Sequence, residues 1–189
     1  PLTSGLVGYL GWDVVRRWET LPYPPADDVN LPEFALNMVS DMAIHDNTDG
    51  TVLLIANAIN FNGTDENVDD AYVDAVERLH RMLQQLEQGA SETASVLTGV
   101  SEVNDRIHRE VTQTWSVQGY QDAIDRCKKN IIDGDVFQIV ISRRFEVETG
   151  ADALDVYRVL RQSNPSPYMY LFNFEDAEGI PFQIVGSSP

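Results

Sequence analysis

Apolar and polar residues alternate along two stretches in the first third of the chain, which is the pattern of β-strands. From Phe34 to Ile44 every second residue is apolar except Ser40, and a second strand-like run extends over Thr51–Ile59. The intervening sequence Asp46–Gly50 is rich in Asp, Asn and Gly, which favour turns. We therefore expect an antiparallel hairpin in this region.

Further strand patterns lie near both ends of the chain. Leu6–Trp12 combines apolar residues with glycines, as in a strand that other backbone approaches closely, and Asp13 is the expected N-cap of a short helix after it. Near the other end, Tyr168–Phe174 and Phe182–Ser187 flank a turn-like sequence. This arrangement predicts a second hairpin.

Apolar residues at intervals of three and four predict three helices. The first is the amphipathic stretch Asp65–Glu87, the second begins after Ser116, and the third is Ala151–Gln162. Ser116 is the expected N-cap of the second helix, with Trp115 and Tyr120 placed to form a hydrophobic staple.

The segment Gly134–Phe145 after the second helix is predicted to be a strand, because β-branched and aromatic residues fill it. With a period of two, one face carries apolar residues, interrupted by Arg143. The other face carries an amide, a hydroxyl and a guanidinium, from Gln138, Ser142 and Arg144. Such a row is typical of the wall of a polar pocket, although an ordinary solvent-exposed face has the same pattern.

These elements predict an α+β fold of antiparallel sheets packed with helices. Composition suggests three parts: a first region over residues 1–88 with a hairpin and an amphipathic helix, a polar linker over residues 89–115, and a further α+β region over residues 116–189. The linker is inferred from small and polar residues that show no period.

Charge and cysteine content narrow the function classes. Thirty acidic and thirteen basic residues give a formal net charge of −17, so phosphate-rich nucleic acids and anionic membrane surfaces would be repelled. Cys127 is the single cysteine, which excludes an intramolecular disulfide and a thiolate metal cluster. With no signal peptide and no long apolar run, the sequence favours a cytoplasmic protein.

Three ordered motifs give a resemblance to a known family. Gly134-Asp-Val-Phe-Gln-Ile-Val-Ile-Ser-Arg-Arg-Phe145 resembles the first catalytic strand of chorismate-utilising enzymes of the anthranilate synthase large-subunit type. Asn164-Pro-Ser-Pro-Tyr-Met-Tyr170 and Ile184-Val-Gly-Ser-Ser-Pro189 agree in order and spacing, and Gly5–Arg16 is similar to the beginning of that family's core. The resemblance thus spans most of the chain outside residues 89–115, and it implies that residues 116–189 are the start of a chorismate-binding catalytic region, which is truncated here.

The resemblance implies roles for particular residues. Gln138 stands where related enzymes that add water to chorismate carry a lysine base. Glutamine cannot take up a proton in this way, so it fits an enzyme that adds ammonia, and Gln138 is the candidate catalytic residue. Gly186 and Ser187 match a turn that contacts chorismate. The segment formed by Pro167, Tyr168 and Met169 matches part of the tryptophan feedback site.

The resemblance also implies a magnesium cofactor, a glutamine amidotransferase partner that supplies ammonia, and L-tryptophan as an inhibitor. The family's metal-binding glutamates and catalytic histidine are expected beyond residue 189, so no residue of this chain is assigned to the metal. The chain is expected to be an internal piece of a longer protein and inactive alone. The alternatives are an aminodeoxychorismate synthase component and a non-catalytic module of the same fold.

Overall fold

A computed structural model describes residues 2–89 and 111–188. Within these residues, four antiparallel strand pairs and three α-helices are present, which confirms the predicted α+β class. The described residues fall into two compact units, one formed by residues 2–89 and 156–188 and the other by residues 111–155. The division predicted from composition stays a prediction, because most of the expected linker lies outside the described residues.

The first strand pair of the larger unit depends on a glycine. Strand β1 (Gly5–Leu10) pairs with β2 (Phe34–Val39), and Gly8 lies opposite Leu36. A Cβ atom added at Gly8 would lie 1.9 Å from the carbonyl oxygen of Ala35. Only glycine permits this approach of the two backbones.

The short helix after β1 is a 3-10 helix, Trp12–Arg17, and its N-cap is Gly11. The prediction that Asp13 is the N-cap was therefore wrong. The carbonyl of Gly11 accepts a hydrogen bond from the amide of Val14, so the first turn already includes Asp13. The carboxylate of Asp13 instead accepts a hydrogen bond from Arg16 Nε at 2.5 Å.

A hairpin forms where the two strand-like runs on either side of Asp46–Gly50 predict one. Strand β3 (Asp41–Asp46) pairs with β4 (Thr51–Ala56), which confirms the hairpin. The prediction of one continuous strand from Phe34 to Ile44 was wrong, because the strand is interrupted at Ser40. Its first half, β2, pairs with β1. Alternation gives the face of each residue but not the strand with which it pairs.

Helix α1 (Val68–Glu87) contacts the β3–β4 hairpin and is fixed there by Arg78. The Arg78 guanidinium donates to the carboxylates of Asp74 and Asp41 and, at 2.8 Å, to the carbonyl of Asn57. Its side chain is only 18% exposed. This single residue therefore connects the helix to the beginning of β3 and to the residue just after β4.

The last two strands form the longest pair. Strand β7 (Tyr168–Glu175) and strand β8 (Pro181–Ser188) make the second predicted hairpin, which is confirmed. Phe174 is 7% exposed, and its ring meets the edge of Tyr9 and lies tilted against Phe182, with ring centroids 5.6 Å apart in each case. Burial raises the pKa of Tyr9, whose hydroxyl donates to the carbonyl of Pro32 at 2.8 Å.

The smaller unit contains helix α2 (Val117–Asp133), which begins and ends as predicted. The hydroxyl of Ser116 accepts a hydrogen bond from the amide of Gly119 at 3.0 Å, as an N-cap does. The rings of Trp115 and Tyr120 meet edge to face with centroids 6.3 Å apart. Gly134 ends the helix with φ of 85°, a left-handed conformation that favours glycine.

The strand predicted over Gly134–Phe145 was wrong for most of its length. Only β6 (Phe145–Glu146) forms, and it pairs with β5 (Thr112–Gln113). A strand requires a neighbouring backbone for its hydrogen bonds, and within residues 2–89 and 111–188 no ladder includes residues 135–144. Helix α3 (Ala153–Ser163) follows and extends from one unit into the other.

Candidate functional site

The β7–β8 hairpin brings together two of the segments that the sequence singles out. Met169 lies directly opposite Ser187, and Tyr170 lies opposite Gly186. Gly186 and Ser187, which were expected in a turn, therefore belong to strand β8, and they are neighbours of the expected tryptophan-contacting segment in one antiparallel ladder. The sequence separates them by 18 positions, so only the hairpin register places them side by side.

Gly186 is covered by an aromatic ring. A Cβ atom at this position would lie 2.1 Å from Cζ and 2.3 Å from the hydroxyl oxygen of Tyr170. The ring of Tyr170 stacks on that of Phe172, with centroids 5.1 Å apart and an interplanar angle of 22°. The absence of a side chain at Gly186 is thus a requirement of packing as well as a feature of the family motif.

Sequence reasoning did not identify Tyr170. An aromatic residue directly opposite a glycine on a neighbouring strand covers the exposed backbone. Tyr170 can be recognised in this role only when the hairpin register is known. Once Tyr168 is paired with Ser188, counting back along both strands places Tyr170 at Gly186.

The loop before β7 is hydrogen-bonded to the end of β8. The hydroxyl of Ser187 donates to the carbonyl of Asn164 at 2.7 Å. In the opposite direction, the hydroxyl of Ser166 lies 2.5 Å from the carbonyl oxygen of Ser188 and 3.0 Å from that of Tyr168. Two serine hydroxyls thus join the two predicted segments at the open end of the hairpin.

The two faces of the hairpin separate the predicted inhibitor-binding residues. Successive side chains of a strand point to opposite faces, so Tyr168 shares its face with Gly186 while Met169 shares the other face with Ser187. Tyr168 is 70% exposed and Met169 is half-buried. A ligand that touches both side chains must therefore lie at the end of the hairpin, where exposed Pro167 precedes the first strand residue.

A cleft of about 400 Å³ lies at the other end of the same hairpin. Its lining includes Asn37, Asn173, Phe174, Glu175 and Pro181. The amide of Asn37 donates to the backbone carbonyl of Asn173 at 3.3 Å, and Gln183 donates to the side-chain oxygen of Asn173 at 2.5 Å. These amides bind to one another across the strands, and none of the predicted site residues lines the cleft.

Gln138 belongs to the smaller unit and is exposed. Exposure alternates along this segment, with Gln138, Val140 and Ser142 exposed and Ile139, Ile141 and Arg143 half-buried. The two predicted faces are therefore present over residues 138–143 although the strand is not, and Arg144, expected on the polar face, is half-buried. Phe137 departs from the pattern, because it was expected on the apolar face and is fully exposed.

Arg143 is the charged residue on the otherwise apolar face, and its neighbours explain how it is accommodated. Its guanidinium carbon lies 4.8 Å from the ring centroid of Phe145 and 5.9 Å from that of Tyr120. The guanidinium also donates to the side-chain oxygen of Gln113. Cation–π contacts of this kind stabilise an arginine away from bulk water. Arg143 therefore packs within the smaller unit.

Residues 2–89 and 111–188 contain no cluster of three His, Cys, Asp or Glu side chains placed to hold a metal ion. The described residues therefore do not fit the magnesium site that the family resemblance implies. Among the same residues, no helix combines the length and apolar character needed to cross a bilayer.

The whole chain matches a family model. The model described as chorismate binding enzyme matches residues 1–189, and the chain belongs to this family. This result agrees with the antiparallel α+β architecture and with the motif that carries Gly186 and Ser187.

Curated relatives refine the comparison. The chain is 56% identical over 189 residues to anthranilate synthase component 1 of Arthrobacter globiformis, and 49% identical over 190 residues to that of Mycolicibacterium smegmatis. All of this chain is covered in both comparisons, but only 35% of each relative. The chain thus spans about a third of the length of these relatives.

A solved structure supports the fold. The crystal structure of anthranilate synthase component I from Streptococcus pneumoniae TIGR4 superposes with a TM-score of 0.69 at 24% sequence identity. The match covers 100% of this chain and 39% of that chain. The chain therefore has part of the anthranilate synthase component I fold, as the sequence motifs predict.

Proposed function

We propose that the protein to which this chain belongs is the large subunit of an anthranilate synthase. It would convert chorismate and ammonia to anthranilate and pyruvate, within tryptophan biosynthesis. The observation that supports this most is the 56% identity to an anthranilate synthase component 1 over all 189 residues. Because the chain spans about a third of such relatives, the activity belongs to the whole protein.

The proposed substrate contact is the backbone at Gly186 and Ser187. The Tyr170 ring fills the space where a Cβ atom of Gly186 would lie, so the ligand would reach this backbone from the other side of the strand, where an amide can donate a hydrogen bond to a carboxylate. The hydrogen bonds from Ser187 to Asn164 and from Ser166 to Ser188 support this role, because they hold the end of β8 in one geometry. Backbone that is already held in its binding geometry before the substrate arrives lowers the entropy cost of binding.

The proposed role of Gln138 is to orient the nucleophile. A neutral amide donates and accepts hydrogen bonds but does not remove a proton. Ammonia needs no deprotonation before it attacks, whereas water would need a base. The exposure of Gln138, on the polar side of an alternating segment, supports its availability to a ligand.

Regulation and partners complete the proposal. We place part of an L-tryptophan inhibitory site at Pro167, Tyr168 and Met169, since an aromatic ring and a polarizable thioether next to rigid backbone suit an indole. A glutamine amidotransferase would supply ammonia, and Mg²⁺ would be required through residues other than those described. A cytoplasmic location fits a biosynthetic enzyme of this kind.

The full-length Gln138→Ala variant tests the proposal. With ammonium and saturating chorismate, we expect wild-type protein to form anthranilate, and the variant to turn over roughly ten to a hundred times more slowly. Losing one or two hydrogen bonds at the reacting centre costs about 1–3 kcal/mol. Gln121→Ala, an exposed glutamine of α2, is the matched control.

The outcomes separate the alternatives. An aminated product that keeps the pyruvate-derived side chain would identify an aminodeoxychorismate synthase. No product from wild-type protein would favour a non-catalytic module. Unchanged turnover of Gln138→Ala at normal thermal stability would show that Gln138 is structural.

A further inference from the structure

We propose that Ser166 is a positioning residue for the substrate-contacting backbone of β8 at Gly186 and Ser187. This inference rests on the proposed function, and it adds a residue that the motif comparison leaves without a role. Its side-chain hydroxyl lies 2.5 Å from the carbonyl oxygen of Ser188, the last residue of β8.

Two prolines fix the backbone that carries this hydroxyl. Pro165 and Pro167 flank Ser166, and a residue before proline is restricted to extended conformations. Neither proline has an amide hydrogen to donate toward β8. The Ser166 hydroxyl supplies a hydrogen-bond donor at this point. The flanking prolines restrict the main-chain rotation of Ser166, so the position of the hydroxyl is restricted as well.

The hydroxyl has two acceptors and one hydrogen. The carbonyl of Ser188 is at 2.5 Å and that of Tyr168 at 3.0 Å, so the shorter contact is the one that crosses to the neighbouring strand. Tyr168 and Ser188 are the terminal pair of the ladder. Ser166 therefore binds across the open end of the hairpin, where β8 ends with residues 186–188.

A second hydrogen bond makes the link reciprocal. Ser187 donates to the carbonyl of Asn164 at 2.7 Å, so the loop before β7 and the end of β8 each contribute one donor. Without the Ser166 hydroxyl, one of these two hydrogen bonds is lost, and only the bond from Ser187 adds to the β7–β8 ladder at this end. The amides near Gly186 would then spend less time in the geometry that a substrate carboxylate needs.

The test uses full-length Ser166→Ala, with Ser166→Thr as the variant that retains a hydroxyl. We expect Ser166→Ala to raise KM for chorismate about three- to tenfold, the scale of one hydrogen bond, with kcat within about twofold. Ser166→Thr should restore most of the affinity. The control is Ser163→Ala, whose hydroxyl bonds to the Val159 carbonyl of its own helix at 3.0 Å.

A second measurement does not depend on turnover. Amide hydrogen exchange at residues 185–188 should be faster in Ser166→Ala than in wild type and unchanged in Ser163→Ala. Unchanged exchange, or an unchanged KM in an active enzyme, would overturn the role of Ser166. An inactive wild-type protein would instead overturn the proposed function, and the exchange data would still decide whether Ser166 holds the end of β8.

Discussion

The ring of Tyr170 occupies the space into which any side chain at residue 186 would project. An alanine Cβ there would lie 2.1 Å from Cζ of the ring, far inside van der Waals contact. The ring also stacks on Phe172, so it can move aside only by giving up that contact. Gly186 and Tyr170 are therefore a matched pair across the β7–β8 ladder.

This pairing predicts that substitutions of Gly186 and Tyr170 have non-additive effects on the free energy of unfolding. Gly186→Ala should lower the free energy of unfolding by about 1–3 kcal/mol, because the alanine overpacks against the ring. In Gly186→Ala combined with Tyr170→Ala, the loss should be at least about 1 kcal/mol smaller than the sum of the single variants. Urea unfolding of the four proteins measures this cycle, and strictly additive losses would contradict the contact.

Gly8→Ala should be more damaging than Gly186→Ala. Its Cβ would meet the backbone carbonyl of Ala35 at 1.9 Å, and a paired backbone cannot rotate away as a side chain can. We expect a loss at or above the upper end of the roughly 1–3 kcal/mol range for overpacking. Gly150→Ala is the control, because nothing lies within 4 Å of its added Cβ. Equal losses at the two sites would show that the β1–β2 approach is not tight.

Arg78 should stabilise the fold more through its ion pair with Asp41 than through its ion pair with Asp74. The side chain of Asp41 is 33% exposed and that of Asp74 is 63% exposed, so solvent screens the second pair more. We expect Arg78→Met to lower the free energy of unfolding by about 1–3 kcal/mol, since several hydrogen bonds of a charged group are lost. Thermal and urea unfolding measure the change.

The control for this prediction is Arg81→Met, an exposed arginine of the same helix. It should change stability by less than about 0.5 kcal/mol. Asp41→Asn should cost more than Asp74→Asn. The reverse order would mean that the helix-to-hairpin link carries little of the stabilisation.

The turn between β3 and β4 should titrate at low pH. The backbone amide of Thr48 donates to Asp46 at 2.8 Å, which lowers the pKa of Asp46 below its usual 3.8. The side-chain hydroxyl of Thr51 donates to Asp49 at 2.7 Å, and its amide donates at 3.0 Å, which lowers the pKa of Asp49 below 3.8. Carboxyl chemical shifts followed against pH by NMR measure both values.

The sign of the stability effect follows from these shifts. A carboxyl group whose pKa is lower in the folded state stabilises the fold above the unfolded pKa, and this stabilisation is lost as the pH falls through the folded pKa. The turn should therefore weaken only below about pH 4. Thr51→Val should raise the pKa of Asp49 and leave that of Asp46 unchanged. A parallel shift of both groups would argue against separate turn hydrogen bonds.

The exposed apolar residues after α2 should promote association of the 189-residue chain. Phe137 is fully exposed and Val140 is 84% exposed, and Ile132, at the end of α2 itself, is 83% exposed. Exposed large apolar side chains favour self-association. Phe137→Ser combined with Val140→Ser should shift sedimentation velocity profiles toward monomer. Val117→Ser, at an exposed valine of α2, should not, and equal effects of both changes would contradict this assignment.

The local features could be predicted from the amino-acid sequence, because short-range chemistry decides them. Ser116 caps α2 through its own hydroxyl, and Gly134 ends that helix because it adopts positive φ without steric cost. The turn residues between β3 and β4 fixed that hairpin in the same way. The motif around Gly186 likewise indicated the family before any contact was known.

The tertiary structure decided which strands pair. Alternation assigns each side chain to a face, but the partner strand depends on long-range backbone hydrogen bonds, so β2 pairs with β1 although its pattern continues into β3. For the same reason exposure alternates over residues 138–143 although no ladder includes them. Tyr170 and Ser166 act on β8 through a register that no local pattern contains, and this is why only the folded chain identified them.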